Sequence, residues 1–144
     1  MRAPIFVVAL LLAFGPVALR AEIQTVPDPD QWIAQALKDI TEGRTDDFAR
    51  NYARMIDKPD AAESLSGALR VLQQVRPAFL EKAWETKAGT AMREVIYVAL
   101  YGQTDYIYFR FVTKRNRNGW LISHFEFKGE PGHLFPPGFA RPQP

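Results

Sequence analysis

The chain has 144 residues, with 18 Lys and Arg against 16 Asp and Glu, two His and no Cys. Without Cys there can be no disulfide staples, thiolate chemistry or lipid-anchored Cys, and a metal would have only histidines and carboxylates to hold it. The small basic excess sits in Arg2 and Arg20, so charge gives no support to nucleic-acid binding by the rest of the chain.

The N-terminus reads as a secretory signal. Met1 and Arg2 form a short basic region, Ile5 to Phe14 an apolar core, and Gly15-Pro16 a break before the small residues Ala18 and Ala21. The apolar run is about half the ~20 residues that span a bilayer as a helix. Residues 1–21 are therefore expected to be a cleaved signal peptide, with Leu19 a mediocre residue at the −3 position and an uncleaved anchor as the alternative. Arg2 and Arg20 leave with the signal and no acid does, which leaves 16 basic and 16 acidic residues. No membrane contact is expected after cleavage. Roughly 120 residues remain, enough for one domain with a core of its own. Export of a domain free of Cys points to the bacterial periplasm.

Residues 22–29 read as an extended leader. Asp30 is the expected cap of a first helix whose apolar stripe is Trp32, Ile33, Ala36, Leu37 and Ile40. Gly43 ends it. Thr45 is the expected cap of a second helix, with Asp46 and Asp47 in the first turn, where negative charge favours the helix dipole. Its stripe is Phe48, Tyr52, Met55 and Ile56, and Pro59 ends it. Asp60 to Glu63 resembles a capping box opening a third helix with Leu65, Ala68, Leu69, Leu72 and Val75 on one side. Gly67 weakens that helix and Pro77 closes it.

From Phe79 onward β-branched and aromatic residues dominate. Four strands are predicted, at about 80–87, 91–101, 105–114 and 120–128, with Gly89 and Gly102 in the first two turns. Helices followed by strands predict an α+β domain over 30–129, three N-terminal helices packed on a four-stranded antiparallel sheet. The tail, residues 130–144, carries five Pro and two Gly. Its Leu134, Phe135 and Phe139 predict that it is pinned to the body.

The last hairpin has two candidate registers around Arg117-Asn118-Gly119. A two-residue turn at Asn118-Gly119 would set Phe111 against Glu126. A three-residue loop with Gly119 as a left-handed bulge sets Phe111 against Phe125, Phe109 against Phe127 and Arg110 against Glu126. Such matched pairs are each favourable by ~0.2–1 kcal/mol, and the three-residue loop is preferred. One face then carries Ile107, Phe109, Phe111, Leu121, Phe125 and Phe127, the expected core. The other carries Tyr106, Tyr108, Arg110, Val112, Trp120, Ile122, His124 and Glu126. So many aromatics on a solvated face imply that something covers part of it.

This arrangement resembles the NTF2-like superfamily. The resemblance covers about 30–128 and is carried by the helix end Asp39-Ile40-Thr41-Glu42-Gly43, the helix start Thr45-Asp46-Asp47-Phe48, and the closing strand from Gly119-Trp120-Leu121-Ile122 to Phe127. It implies a curved, cystatin-like sheet wrapped around helices, a pocket in the cone and dimers through the sheet face. The sequence departs from the family in lacking a strand signal between the early helices.

His124 and Glu126, two apart on one strand, point the same way and could act as an acid/base pair, with Arg110 or Tyr108 steadying an oxyanion. The competing reading is a structural Arg110–Glu126 pair with His124 beside it, and this is the one preferred. Asp105 with Tyr106 or Tyr108 could echo the family's enzymes, but a turn Asp is the simpler reading and no catalytic residue transfers. His124 and His133, even with Glu126, make a poor metal set, so no metal or other cofactor is expected. Ser64, Ser66 and Ser123 lack a nucleophile elbow, and no glycine loop for phosphate is present. Lys114, Arg115 and Arg117 form a basic tip that blocks edge pairing and is not taken as a nucleic-acid site. The sequence thus predicts a non-catalytic domain that binds a partner or its twin through Tyr106, Tyr108, Arg110, Trp120, Ile122 and His124. A small apolar ligand between sheet and helices, or an enzyme using His124 and Glu126, are the alternatives.

Overall fold

A computed structural model describes residues 23–130 and 134–135, so the segment read as a signal lies outside the described residues. Helices α1 (Pro29–Thr41), α2 (Thr45–Met55) and α3 (Ala61–Leu69) precede strands β1 (Phe79–Ala88), β2 (Met92–Tyr101), β3 (Asp105–Asn116) and β4 (Gly119–Lys128). The strands form one antiparallel sheet in the order β1-β2-β3-β4. The α+β class and the helix-then-strand order are as the sequence predicts. Among the described residues no helix is long and apolar enough to cross a membrane.

The helix starts differ from expectation in their caps. Asp28, not Asp30, caps α1, its Oδ1 accepting from the Asp30 and Gln31 amides at 2.9 and 3.3 Å. Pro29 then occupies the first helical position, where a missing N–H costs nothing. Asp30 is free to pair with Arg93 of β2 at 2.5 Å. Thr45 lies inside α2, fully buried, and its hydroxyl accepts from Gln73. Asp60 makes no side-chain cap, and the capping box is absent. The helix α3 stops at Leu69 and tightens into a 3-10 turn over Arg70–Leu72. Ala68 and Val75 are exposed, contrary to the expected stripe.

The core fills the space between α1, α2 and one face of the sheet. Phe48 meets Phe125 edge-on with ring centroids 4.8 Å apart, Phe111 lies 5.0 Å from Phe125, and Trp32 meets Phe111 at 6.4 Å. Ile33, Ile40, Val95, Ala99 and Leu69 close around these rings. A buried Asp39 secures the α1–α2 corner, accepting from Arg44 Nη2 at 2.7 Å and from Gln35 Nε2 at 2.9 Å.

The β3–β4 register matches the preferred one at Phe109/Phe127, Arg110/Glu126 and Phe111/Phe125, but the means differ. The turn is Arg117-Asn118, two residues long, and Asn116 pairs with Gly119. The extra residue is Ser123, where the pairing slips between Val112 and Thr113. Its hydroxyl donates to the Val112 carbonyl at 3.0 Å and ties the bulge down. A bulge resets side-chain alternation. Ile122 therefore faces the helices and is 1% exposed, while Leu121 turns outward, reversing the expected faces of both. Trp120, two residues before Ile122, shares its face.

The outer edge of β4 is closed by other parts of the chain. Val26 and Trp120 exchange both backbone hydrogen bonds, at 2.8 and 2.9 Å. Gly119 is needed here, because its φ is +143° and a Cβ would lie 2.9 Å from the Val26 carbonyl oxygen. Further along, the Phe125 amide donates to Tyr52 Oη at 2.9 Å. Among the described residues nothing pairs with the outer edge of β1. That edge is blunted by Glu81, Lys82, Glu85 and Lys87 and by a register break at Ala83.

Candidate interaction surface

The surface of interest is the sheet face turned away from the helices. Strand alternation and register place on it Trp84 and Phe79 of β1, Glu94, Ile96, Val98 and Leu100 of β2, and Tyr106, Tyr108, Arg110 and Val112 of β3. Leu121, His124, Glu126 and Lys128 of β4 complete it. Tyr106, Tyr108, Arg110 and His124 share this face, with Tyr106 and His124 at opposite ends of it. Ile122 is not on this face but in the core, and Trp120 sits on the helix side beside Val26. The reason is the Ser123 bulge, which no pattern in β4 announces.

The charged half is an ion ladder across three strands. Arg110 Nε donates to Glu94 Oε1 and its Nη1 to Glu126 Oε1 at 3.0 Å. Lys128 and His124 each stand 3.7 Å from the other oxygen of Glu126. Burial pushes the Glu126 carboxyl up, but the Arg110 hydrogen bond and the neighbouring positive charge outweigh it and hold the group below its ordinary range. The hydrogen bond to Glu94 raises Arg110 further. A carboxylate held in its charged form by an arginine is a weak base, and His124, half exposed, lies beyond hydrogen-bond reach of it. The geometry is that of a cross-strand charge ladder. His133 lies outside the described residues, and among those described no group of three metal-ligating side chains occurs. Asp105 sits exposed at the mouth of the β2–β3 turn, opposite Tyr101.

The apolar half contains residues that the hairpin argument missed. Ile96 is 0% exposed although it faces away from every helix. Tail residues pack on this same face. Phe135 meets Tyr108 edge-on at 5.8 Å and Trp84 at 6.5 Å, and Leu134 is 3% exposed. The expectation that the tail is pinned to the body holds for these two residues, and Phe139 lies outside the described ones. Next to the covered strip runs a row left open: Phe79, Leu100 and Tyr106, side by side on β1, β2 and β3. Phe79 is 38% and Tyr106 44% exposed, and their rings lie 6.3 Å apart. The signal for this second apolar layer is the unbroken run Val95 to Leu100. A run without alternation marks a strand buried on both faces.

In the middle of the core the aromatic rings interlock. Open clefts flank α1. One of about 490 Å³ lies along the leader, lined by Val26, Pro27, Trp32 and Lys38 among others. Another of about 380 Å³ lies against β1 and β2, lined by Leu37, Leu80, Tyr97, Lys38 and Lys82. No family model matches the chain, and no curated protein or solved structure is significantly similar to it.

Proposed function

We propose that this chain is an exported, non-catalytic interaction domain of NTF2-like type, acting in the bacterial periplasm and self-associating through the outer face of its sheet. The observation that carries the reading is the open row Phe79–Leu100–Tyr106 beside a strip already covered by the tail. An apolar face that the chain covers only in part leaves area to be buried by a second molecule. The Glu94–Arg110–Glu126 ladder beside it supports a binding role over an acid/base one, since its carboxylates are occupied by Arg110.

Native mass spectrometry of the protein purified from a periplasm tests both halves of this reading. The expected species is a dimer of chains beginning at Glu22. Tyr106→Glu should convert it to monomer without lowering its melting temperature. A wild-type monomer at tens of micromolar would refute self-association, and an intact N-terminus would refute cleavage. The cleft between α1 and β1–β2, lined by Leu37, Leu80 and Tyr97 together with Lys38, Lys82 and Glu81, favours a second reading: an amphipathic ligand. A reproducible small added mass, lost in Leu80→Glu, would favour that reading instead.

A further inference from the structure

The tail does more than fill space on the outer face. Phe135 is set between two aromatic side chains from different strands, edge-on to both, with interplanar angles of 89° to Tyr108 and 78° to Trp84. Beneath lies Ile96, on the row that joins Trp84 to Arg110. Leu134 and Phe135 themselves form a turn and a bend. An aromatic side chain held edge-on by rings from two strands is a favourable anchor.

We infer that Trp84, Ile96 and Tyr108 form a binding site for the tail through Leu134 and Phe135, occupied in cis by this chain's own tail and exchangeable with the tail of a second copy. The inference rests on the self-association reading above and names the segment that is exchanged. The connection favours it. Lys128, the last residue of β4, pairs with Tyr108, and only residues 129–133, Gly129, Pro131 and Gly132 among them, separate it from Leu134. A connection this short in sequence, between a fixed strand and a docked segment, is the arrangement in which two identical molecules trade elements at little cost. In cis the tail acts at an effective concentration in the millimolar range. A free peptide should therefore enter only when the cis tail is weakened.

The test uses the full mature chain and a fluorescent peptide of residues 130–144, followed by anisotropy. Phe135→Ala in the protein should make the peptide bind about tenfold or more tightly than it binds wild type, because the competing cis tail is loosened. Adding Trp84→Ala should remove that gain, and a peptide carrying the same Phe135→Ala change should not bind. Failure to bind a Phe135→Ala chain whose near-ultraviolet dichroism is native would overturn the inference, as would binding indifferent to Trp84→Ala. A second measurement needs no destabilised variant. A photo-crosslinking phenylalanine analogue placed at position 135 is mixed with isotopically heavy wild-type chain. Links from 135 to Trp84 or Tyr108 of the heavy chain support exchange. A dimer with links only within one chain defeats exchange and leaves self-association standing, whereas a monomer at all concentrations defeats both.

Discussion

Strand β2 sends Val95 and Ala99 toward the helices and Ile96 and Val98 the other way, and all four are buried. The two sides reach that state by different routes. On the helix side Phe48, Phe111 and Phe125 interlock with Trp32 and Tyr52, side chains from four elements that hold one another in place. On the outer side the described cover is tail: Phe135 lies against Trp84 and Tyr108, and Leu134 beside it is buried. The lesson is that burial alone does not distinguish a core from a surface that is occupied. What distinguishes them is whether the covering atoms belong to elements fixed independently of the contact.

Truncating one ring on each side should expose that difference most clearly. Phe111→Ala removes a fully buried ring among rigid neighbours and is expected to cost ~3–5 kcal/mol in urea denaturation. Phe135→Ala, at a half-buried site with two ring contacts, should cost only about 1–2 kcal/mol. Equal losses would mean that the tail is as integral to the fold as the helices are, and the contrast would fail.

The next effect concerns how α2 is fixed to the sheet. Tyr52→Phe keeps the ring against Phe48 and Phe125 but strips the acceptor from the buried Phe125 amide. An orphaned buried donor costs ~1–3 kcal/mol. Hydrogen exchange should show the Phe125 amide losing protection in step with that loss. A Phe variant as stable as wild type, with the amide still protected, would mean that the helix side is held by ring packing alone.

How much of this was legible in the sequence depends on which interactions decide each feature. The helices and strands follow from local periodicity, and cross-strand pairing preferences picked the Phe111/Phe125 register. The Ser123 bulge was not legible, because it is set by the two-residue turn at Arg117-Asn118 and the approach of Val26 to Gly119, a contact across most of the chain. The face taken by Ile122 follows from that bulge alone. The caps failed similarly. Asp28, Asp30 and Thr45 are all plausible caps, and the choice among them was made by Arg93 and Gln73, distant in sequence. Ile96 and Val98 were legible, since the unbroken apolar run of β2 marks a strand buried on both faces.

One flaw lies on the helix side. Tyr101 is buried there with a hydroxyl that meets no hydrogen-bond partner among the described residues. Burial pushes this phenol up to about 12. Tyr101→Phe should therefore stabilise the domain by about 1 kcal/mol, since it deletes a buried polar group that has no partner. The raised value means that the neutral form is the one the fold favours. Its share of stability is complete below the ordinary tyrosine value of 10 and falls away as pH rises from there through about 12. The Phe variant should lack that alkaline loss. A destabilised Tyr101→Phe would show that the hydroxyl has a partner, such as a bound water, and that the helix side has no such flaw.

The smallest effect separates the two sides by their charges. Glu126 on the outer side and Glu85 on the helix side are both held below the ordinary value of 4.5. For Glu85 the hydrogen bond from Lys82 leads and Arg93 adds to it; for Glu126 the Arg110 bond and nearby charge overcome an opposing burial. A lowered carboxyl contributes stability that is present above the unfolded value and is lost as pH falls through the folded one. Urea midpoints from pH 7 to pH 3 should thus decline for wild type and decline less steeply for Glu126→Gln and for Glu85→Gln. The two variants should part company when combined with Phe135→Ala. Glu126 shares its face with the tail, and a loosened tail lets water reach the Arg110 ladder and weakens it, so the Glu126 share of the acid slope should shrink. Glu85 answers to Lys82 and Arg93 on the helix side, and its share should stay unchanged. If both shares shrink together, the tail is coupled to the whole sheet and cannot be an exchangeable cover. If only the Glu126 share shrinks, the outer side is a separable layer, as its cover by two tail residues implies.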